Sequence, residues 1–138
     1  MVKSLLFLSV FCAFVFQDKV ILKYHELLTS KGEQEWILKN TNLHLSGSAC
    51  TNGLVLTFSL VAKKVIWKQC IDGKWNTKSY SWKIEKLSSA QYVLNIDSKG
   101  RYDIDFIKDP EETEAHLRLR SSFSKKDMED YDMHLVKN

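Results

Sequence analysis

Proline is nearly missing from this sequence and glycine is sparse, with one and five among 138 residues. That scarcity excludes collagen-like chains and Pro/Gly-rich low-complexity chains. Bulk charge of one sign is missing too. The formal net charge is +3, too small for whole-chain electrostatics to name a partner. There are three cysteines but no C-x-x-C pair, and no Cys/His cluster has the spacing of a zinc site. No G-x-S-x-G elbow accompanies the four scattered histidines, His25, His44, His116 and His134. Triad order varies between folds, but nothing here marks a nucleophile, so no catalytic residue, metal ligand or cofactor site is assigned and the chain reads as a non-enzyme.

Long apolar runs are also missing, except at the start. Met1-Val2-Lys3 is followed by an apolar stretch from Leu5 to Phe16, about a dozen residues and too short to span a bilayer comfortably. A short positive start and a short apolar core match a secretory signal peptide. We read residues 1–17 as the leader, with the cut after Gln17, residues 18–123 as one β-domain and residues 124–138 as a polar tail. Export places the protein outside the cell or in a periplasm. It leaves no stable membrane span after cleavage and makes intracellular nucleic acid an improbable partner.

Cleavage removes Cys12 and leaves Cys50 and Cys70. Two cysteines in an oxidising compartment predict one disulfide. It closes a loop of about 20 residues and stabilises by about 3 kcal/mol through restriction of the unfolded chain.

The strand signals are dense between Leu54 and Ile84. Leu54–Leu60, Val65–Ile71 and Lys74–Ile84 read as strands, the last two joined by Asp72-Gly73. Asp-Gly supplies the two positive φ angles of a type I′ hairpin turn. A tight turn pairs Ile71 with Lys74, Trp67 with Lys78 and Val65 with Tyr80. The loop 61–64 then sets Phe58 opposite Trp67. One face becomes apolar (Leu54, Leu56, Phe58, Val65, Trp67, Tyr80, Trp82), while Thr57, Lys68, Thr77 and Ser79 face water, with Ile66 and Trp75 as exceptions. A second hairpin follows, in which Ser98-Lys99-Gly100 pairs Ile96 with Tyr102 and Leu94 with Ile104 and sets Asp97 beside Arg101.

Trp36–Leu38 opens the sheet, and Leu43 and Leu45 suggest a short second strand. Glu114–Ser121 is the last strand, with Leu117 and Leu119 inward. Matching parities put Asp105 opposite Arg118 and Asp103 opposite Arg120, or each pair shifted by two, which makes the two aspartates ion-pair partners rather than an acid–base or metal site. Val20–Ser30 has helical spacing, with Val20, Tyr24, Leu27 and Leu28 near one face and Gly32 as the stop. The tail carries Met128, Tyr131 and Leu135 at loose helical spacing and is read as a short helix or a disordered end.

The expected class is therefore all-β: an antiparallel up-and-down meander of about eight strands with a short N-terminal helix, most simply closed as a barrel to remove its edges, the alternative being a twisted open meander with the helix on its dry face. A leader, an early strand tryptophan (Trp36), a meander of about eight strands and an arginine late in the final strand (Arg120) resemble the lipocalin-like, or calycin, group. In that family the two residues pack together at the closed end. The resemblance implies a barrel that binds a small, mostly apolar ligand without chemistry.

Two functions follow as expectations. In the first, aromatic residues Trp67, Tyr80, Trp82, Tyr92 and Phe106 line a pocket for a small hydrophobic ligand. In the second, the core is filled and the exported protein acts as an interaction or inhibitor module. Its lysines at 63, 64, 68, 74, 78, 83 and 86, with Trp75, then form a basic-aromatic face for a protein or an anionic surface. In both the protein is a monomer.

Overall fold

The computed structural model describes residues 18–39, 41, 50–107, 115–121 and 132–138. The leader, the segment with Leu43 and Leu45, and the Asp109-Pro110-Glu111-Glu112 stretch, whose residues read as a polar turn, lie outside the described residues. Among the described residues one helix, α1 (Lys19–Thr29), precedes eight strands: β1 (Glu33–Leu38), β2 (Leu54–Ser59), β3 (Lys64–Ile71), β4 (Lys74–Ser88), β5 (Gln91–Ile96), β6 (Gly100–Ile107), β7 (His116–Ser121) and β8 (Asp132–Lys137). Each strand pairs antiparallel with the next and β8 returns to β1, so the meander closes into a barrel without crossovers. The all-β barrel with one short helix is as expected. Its eighth strand comes from an unexpected place.

That strand is β8, inside the segment read as a polar tail. Met133 and Leu135 point inward and are fully buried, while His134 and Val136 alternate outward. A run of six residues bearing only two apolar side chains on its inner face is short enough to be matched by helical spacing as well. Pairing with β1 and β7 decides for the strand.

The interior is filled by one apolar side chain after another. Trp36, Leu56, Phe58, Val65, Leu94, Ile96, Tyr102, Leu117, Leu119, Met133 and Leu135 are all within 1% of complete burial. Burial on this scale is worth about 1.5–3 kcal/mol per large side chain.

The Asp72-Gly73 turn, with φ of 51° and 75°, sets β3 against β4 in the expected register, Trp67 opposite Lys78 and Val65 opposite Tyr80. Asp105 lies opposite Arg118 and Asp103 opposite Arg120, the unshifted of the two expected registers. Two other registers are shifted by two. Phe58 lies opposite Val65 rather than Trp67, and Leu94 opposite Tyr102 rather than Ile104. A shift of two keeps every side chain on its face, so apolar alternation cannot detect it. In the second hairpin the loop is Asp97-Ser98-Lys99, with Ser98 left-handed at φ 66°. Arg101 therefore meets Glu85 at 3.2 Å and not Asp97.

Helix α1 covers one end of the barrel. Asp18 caps it, accepting from the N–H groups of Val20 and Ile21 at 2.9 and 3.5 Å, a contact worth about 1 kcal/mol. Ser30, left-handed at φ 49°, ends it before Gly32 is reached. Its packed face is Ile21, Tyr24 and Leu28, while Val20 and Leu27 are exposed. The inner stripe is thus turned by one position from the expected one. The Trp36 indole N–H donates to the Leu28 carbonyl at 2.9 Å, anchoring the helix to β1. Trp36 consequently packs with α1 and Phe106, while Arg120 lies exposed on the outer face and reaches Asp105.

Candidate binding surface

Strand β4 has fifteen residues and serves two neighbours in turn. Lys74–Ser81 pair with β3, and Trp82 onward pairs with β5. The hairpin of β3 and β4 therefore extends past the barrel at the end away from α1. Its tip is held twice. Cys50 and Cys70 form a disulfide, and the Cys50 N–H donates to the Gly73 carbonyl at 3.1 Å. The expected bond is present, and it ties the turn to the chain leading into β2.

Aromatic rings and ammonium groups interleave on this hairpin. On the outer face the Lys68 Nζ lies 4.9 Å from the centre of the Trp75 ring, beside exposed Ile66. On the other face Trp67 and Tyr80 meet edge to face at 6.3 Å. Lys99, from the β5–β6 turn, lies over both, 4.3 Å from the Trp67 ring and 5.8 Å from the Tyr80 ring. Such contacts are worth about 0.5–1 kcal/mol each at exposed sites. At Trp75 and Tyr80, both half-buried, they hold aromatic surface and positive charge side by side, while the Trp67 ring is buried beneath Lys99. The Trp67 indole N–H donates to the Gln69 Oε1 at 3.3 Å.

The five aromatic residues expected to line a pocket do not stay together. Trp67 and Tyr80 stand at the hairpin end under Lys99. Trp82 packs on Phe58 at 5.7 Å and on His25 of α1 at 5.2 Å, both edge to face, and its indole N–H donates to the Lys64 carbonyl at 3.1 Å. Tyr92 and Phe106 both pack against Tyr24 of α1, at 5.9 and 6.0 Å. A shallow groove of about 380 Å³ runs between α1 and β6, lined by Val20, Tyr24, Leu27, Ile104 and Phe106 with the charged Lys23 and Asp105. Tyr24, His25 and Lys99 complete these clusters. Sequence reasoning missed them as site residues because a helical tyrosine and a turn lysine carry no pattern of their own.

The titratable groups cluster where α1 meets the barrel. Burial, with Lys63 close by, pulls His25 below its ordinary value; the Lys63 Nζ lies 3.2 Å from the His25 Nδ1. Lys63 is itself lowered by burial. At Asp18 burial works upward, but hydrogen bonds from the Tyr92 hydroxyl and from Val20 and Ile21, with Lys86 near, outweigh it and hold the carboxyl low. On the outer face of β7 and β8, His116 Nδ1 and His134 Nε2 are 3.2 Å apart. Burial first, then the charge His116 can carry, lowers His134. Arg118 holds Asp132 by two hydrogen bonds at 3.0 and 2.8 Å.

Among the described residues no group of three or more His, Cys, Asp or Glu side chains is placed to hold a metal ion, and no helix is long and apolar enough to cross a membrane. The disulfide is compatible with an oxidising compartment. The chain matches no family model, no curated protein and no solved structure. The closed eight-strand antiparallel barrel with one short helix fits a calycin-like architecture in outline.

Proposed function

We propose that this is an exported, non-enzymatic interaction module that binds an acidic protein surface through the β3–β4 hairpin and the adjoining β5–β6 turn. One observation carries this reading. The barrel interior is occupied by its own side chains, Trp67 among them, while half-buried Lys68 with Trp75, and Lys99 over half-buried Tyr80, stand at the hairpin end. Surfaces that pair aromatic area with positive charge favour anionic partners, and the charge steers their approach.

The test uses poly-L-glutamate as the probe, titrated into the full disulfide-bonded protein at low and at physiological salt. Reversing Lys68, Lys74 and Lys78 to glutamate is expected to weaken binding by about tenfold or more and to flatten its salt dependence. Reversing Lys23 and Lys31, which lie on and just after α1, is expected to leave binding unchanged. Equal effects from the two sets would remove the hairpin from the function.

A second reading is favoured by the α1–β6 groove, whose walls of Val20, Tyr24, Leu27, Ile104 and Phe106, with Lys23 and Asp105 beside them, suit a small, mostly apolar ligand. Native mass spectrometry of the protein isolated from its natural secretion tests it, with a denatured, non-reduced control. Extra mass that leaves on denaturation supports the groove. A clean protein mass supports the surface alone.

A further inference from the structure

The divided pairing of β4 leaves half of one strand with an open side. Trp82 donates its N–H to the Lys63 carbonyl on the β3 side, and the Ser81 carbonyl accepts from the Asp97 N–H on the β5 side. Backbone groups alternate direction along an antiparallel strand. Trp75, Thr77 and Ser79 share the parity of Ser81, so their N–H and C=O groups point away from β3. Strand β5 begins its pairing only at Trp82, and among the described residues no other strand borders this side. From Lys74 to Ser79 every side chain but that of Trp75 is exposed.

An open edge of this length invites pairing. The side chains flanking it select what can pair. Lys74 and Lys78 stand on one face, with Lys99 nearby over Tyr80. Trp75 and Thr77 stand on the other, with Lys68 over the indole. The acidic residues near the edge, Asp72 and Asp97, sit in the turns at its two ends. A second copy of the chain paired about Thr77 would bring four lysines onto one face of a joint ribbon, and cross-strand like charges oppose that. An incoming strand with carboxylates on the lysine face and apolar side chains on the Trp75 face meets complementary groups on both.

We propose that the edge from Trp75 to Ser79 is a strand-addition site, taking from a partner protein an extended segment in which acidic and apolar residues alternate. Main-chain hydrogen bonds to Trp75, Thr77 and Ser79 hold the segment, and alternation of its side chains sets the specificity. The inference rests on the surface-binding reading above and narrows its partner to an extended acidic peptide.

The test is fluorescence polarisation of labelled synthetic octapeptides with the full disulfide-bonded protein. The probes are alternating Glu/Val, alternating Lys/Val, and Glu/Val peptides N-methylated at odd or at even positions. The Glu/Val peptide is expected to bind and the Lys/Val peptide not to. N-methylation in one phase should weaken binding about tenfold or more, because it removes donors to the edge, while methylation in the other phase should be tolerated. Thr77→Pro should produce the same loss, since the Thr77 N–H points outward and its removal leaves the β3 ladder intact. If Thr77→Pro does not fold by circular dichroism, the two N-methylated peptides decide alone.

Failure of the Glu/Val peptide to bind, equal binding of Lys/Val, or indifference to both N-methylation phases and to Thr77→Pro would overturn strand addition. Poly-L-glutamate binding that still depends on the hairpin lysines would then leave the surface reading in place. Loss of that binding as well would sink both. A dimer seen by sedimentation and abolished by Thr77→Pro would assign the edge to a second copy and overturn the peptide.

Discussion

Leu135→Ala asks whether the chain's last strand is part of the barrel. Leu135 is completely buried, lies opposite Leu38 of β1 and Leu117 of β7, and is one of two inward residues of β8. Truncation removes three buried carbons between two packed strands and leaves a cavity that close-packed neighbours fill only in part. The expected cost is about 3 kcal/mol. For a domain of this size about 1 kcal/mol moves the midpoint by roughly 4 °C, so the melting temperature should fall by about 12 °C. Urea unfolding followed by far-UV circular dichroism, with the disulfide intact, gives the free energy, and a thermal scan gives the midpoint. Leu87→Ala is the control. Leu87 is 45% exposed, and its loss should stay within about 0.5 kcal/mol. A Leu135→Ala cost no larger than that of the control would refute the closure and return residues 132–138 to a loose tail.

Three further outcomes follow. Replacing Cys50 and Cys70 together by serine should cost about 3 kcal/mol on the chain-entropy argument, and reductant should destabilise the natural protein by the same amount and the double variant not at all. Trp36→Phe leaves the Leu28 carbonyl without its donor in a buried site, at about 1–3 kcal/mol, and hydrogen exchange should quicken in α1 more than in the strands. His25 and His134 are both held below their ordinary value of 6.5, so the unfolded chain binds protons more readily than the folded one just below that pH. Their contribution is complete above 6.5 and is lost as pH falls through the lowered folded values; melting temperature measured at descending pH should drop there first, and His25→Gln should flatten the drop.

How far the sequence could be read varied with how strongly each element is specified. Asp72-Gly73 names one turn type, and the β3–β4 register follows from it to the residue. At the β2–β3 and β5–β6 connections the left-handed positions fall on Lys63 and Ser98. Neither residue type announces such a conformation, so the registers were legible only to a multiple of two. β8 carries Met133 and Leu135 among charged neighbours, and its identity depends on partners about a hundred residues upstream. The aromatic residues of the candidate site were visible as a set. What was not visible was their division between two ends of the barrel, which comes from the stagger of β4 between its partners. The open edge is a consequence of that stagger and has no signature in the residues themselves.

The joining of β1 to β8 has a kinetic consequence. Trp36 pairs with Lys137, and the Gln34 side-chain amide donates to the Asn138 carbonyl 104 residues along the chain. Bringing ends so distant together costs about 4 kcal/mol of chain entropy beyond a constant, from the logarithm of a loop of roughly 100 residues. The hairpins need no such closure, and folding rates fall as contacts become less local. The seam between the first and last strands should therefore form late. Until it does, β1 and β8 offer unpaired borders to other chains, and slow-folding molecules at high concentration should associate through those borders before the seam closes.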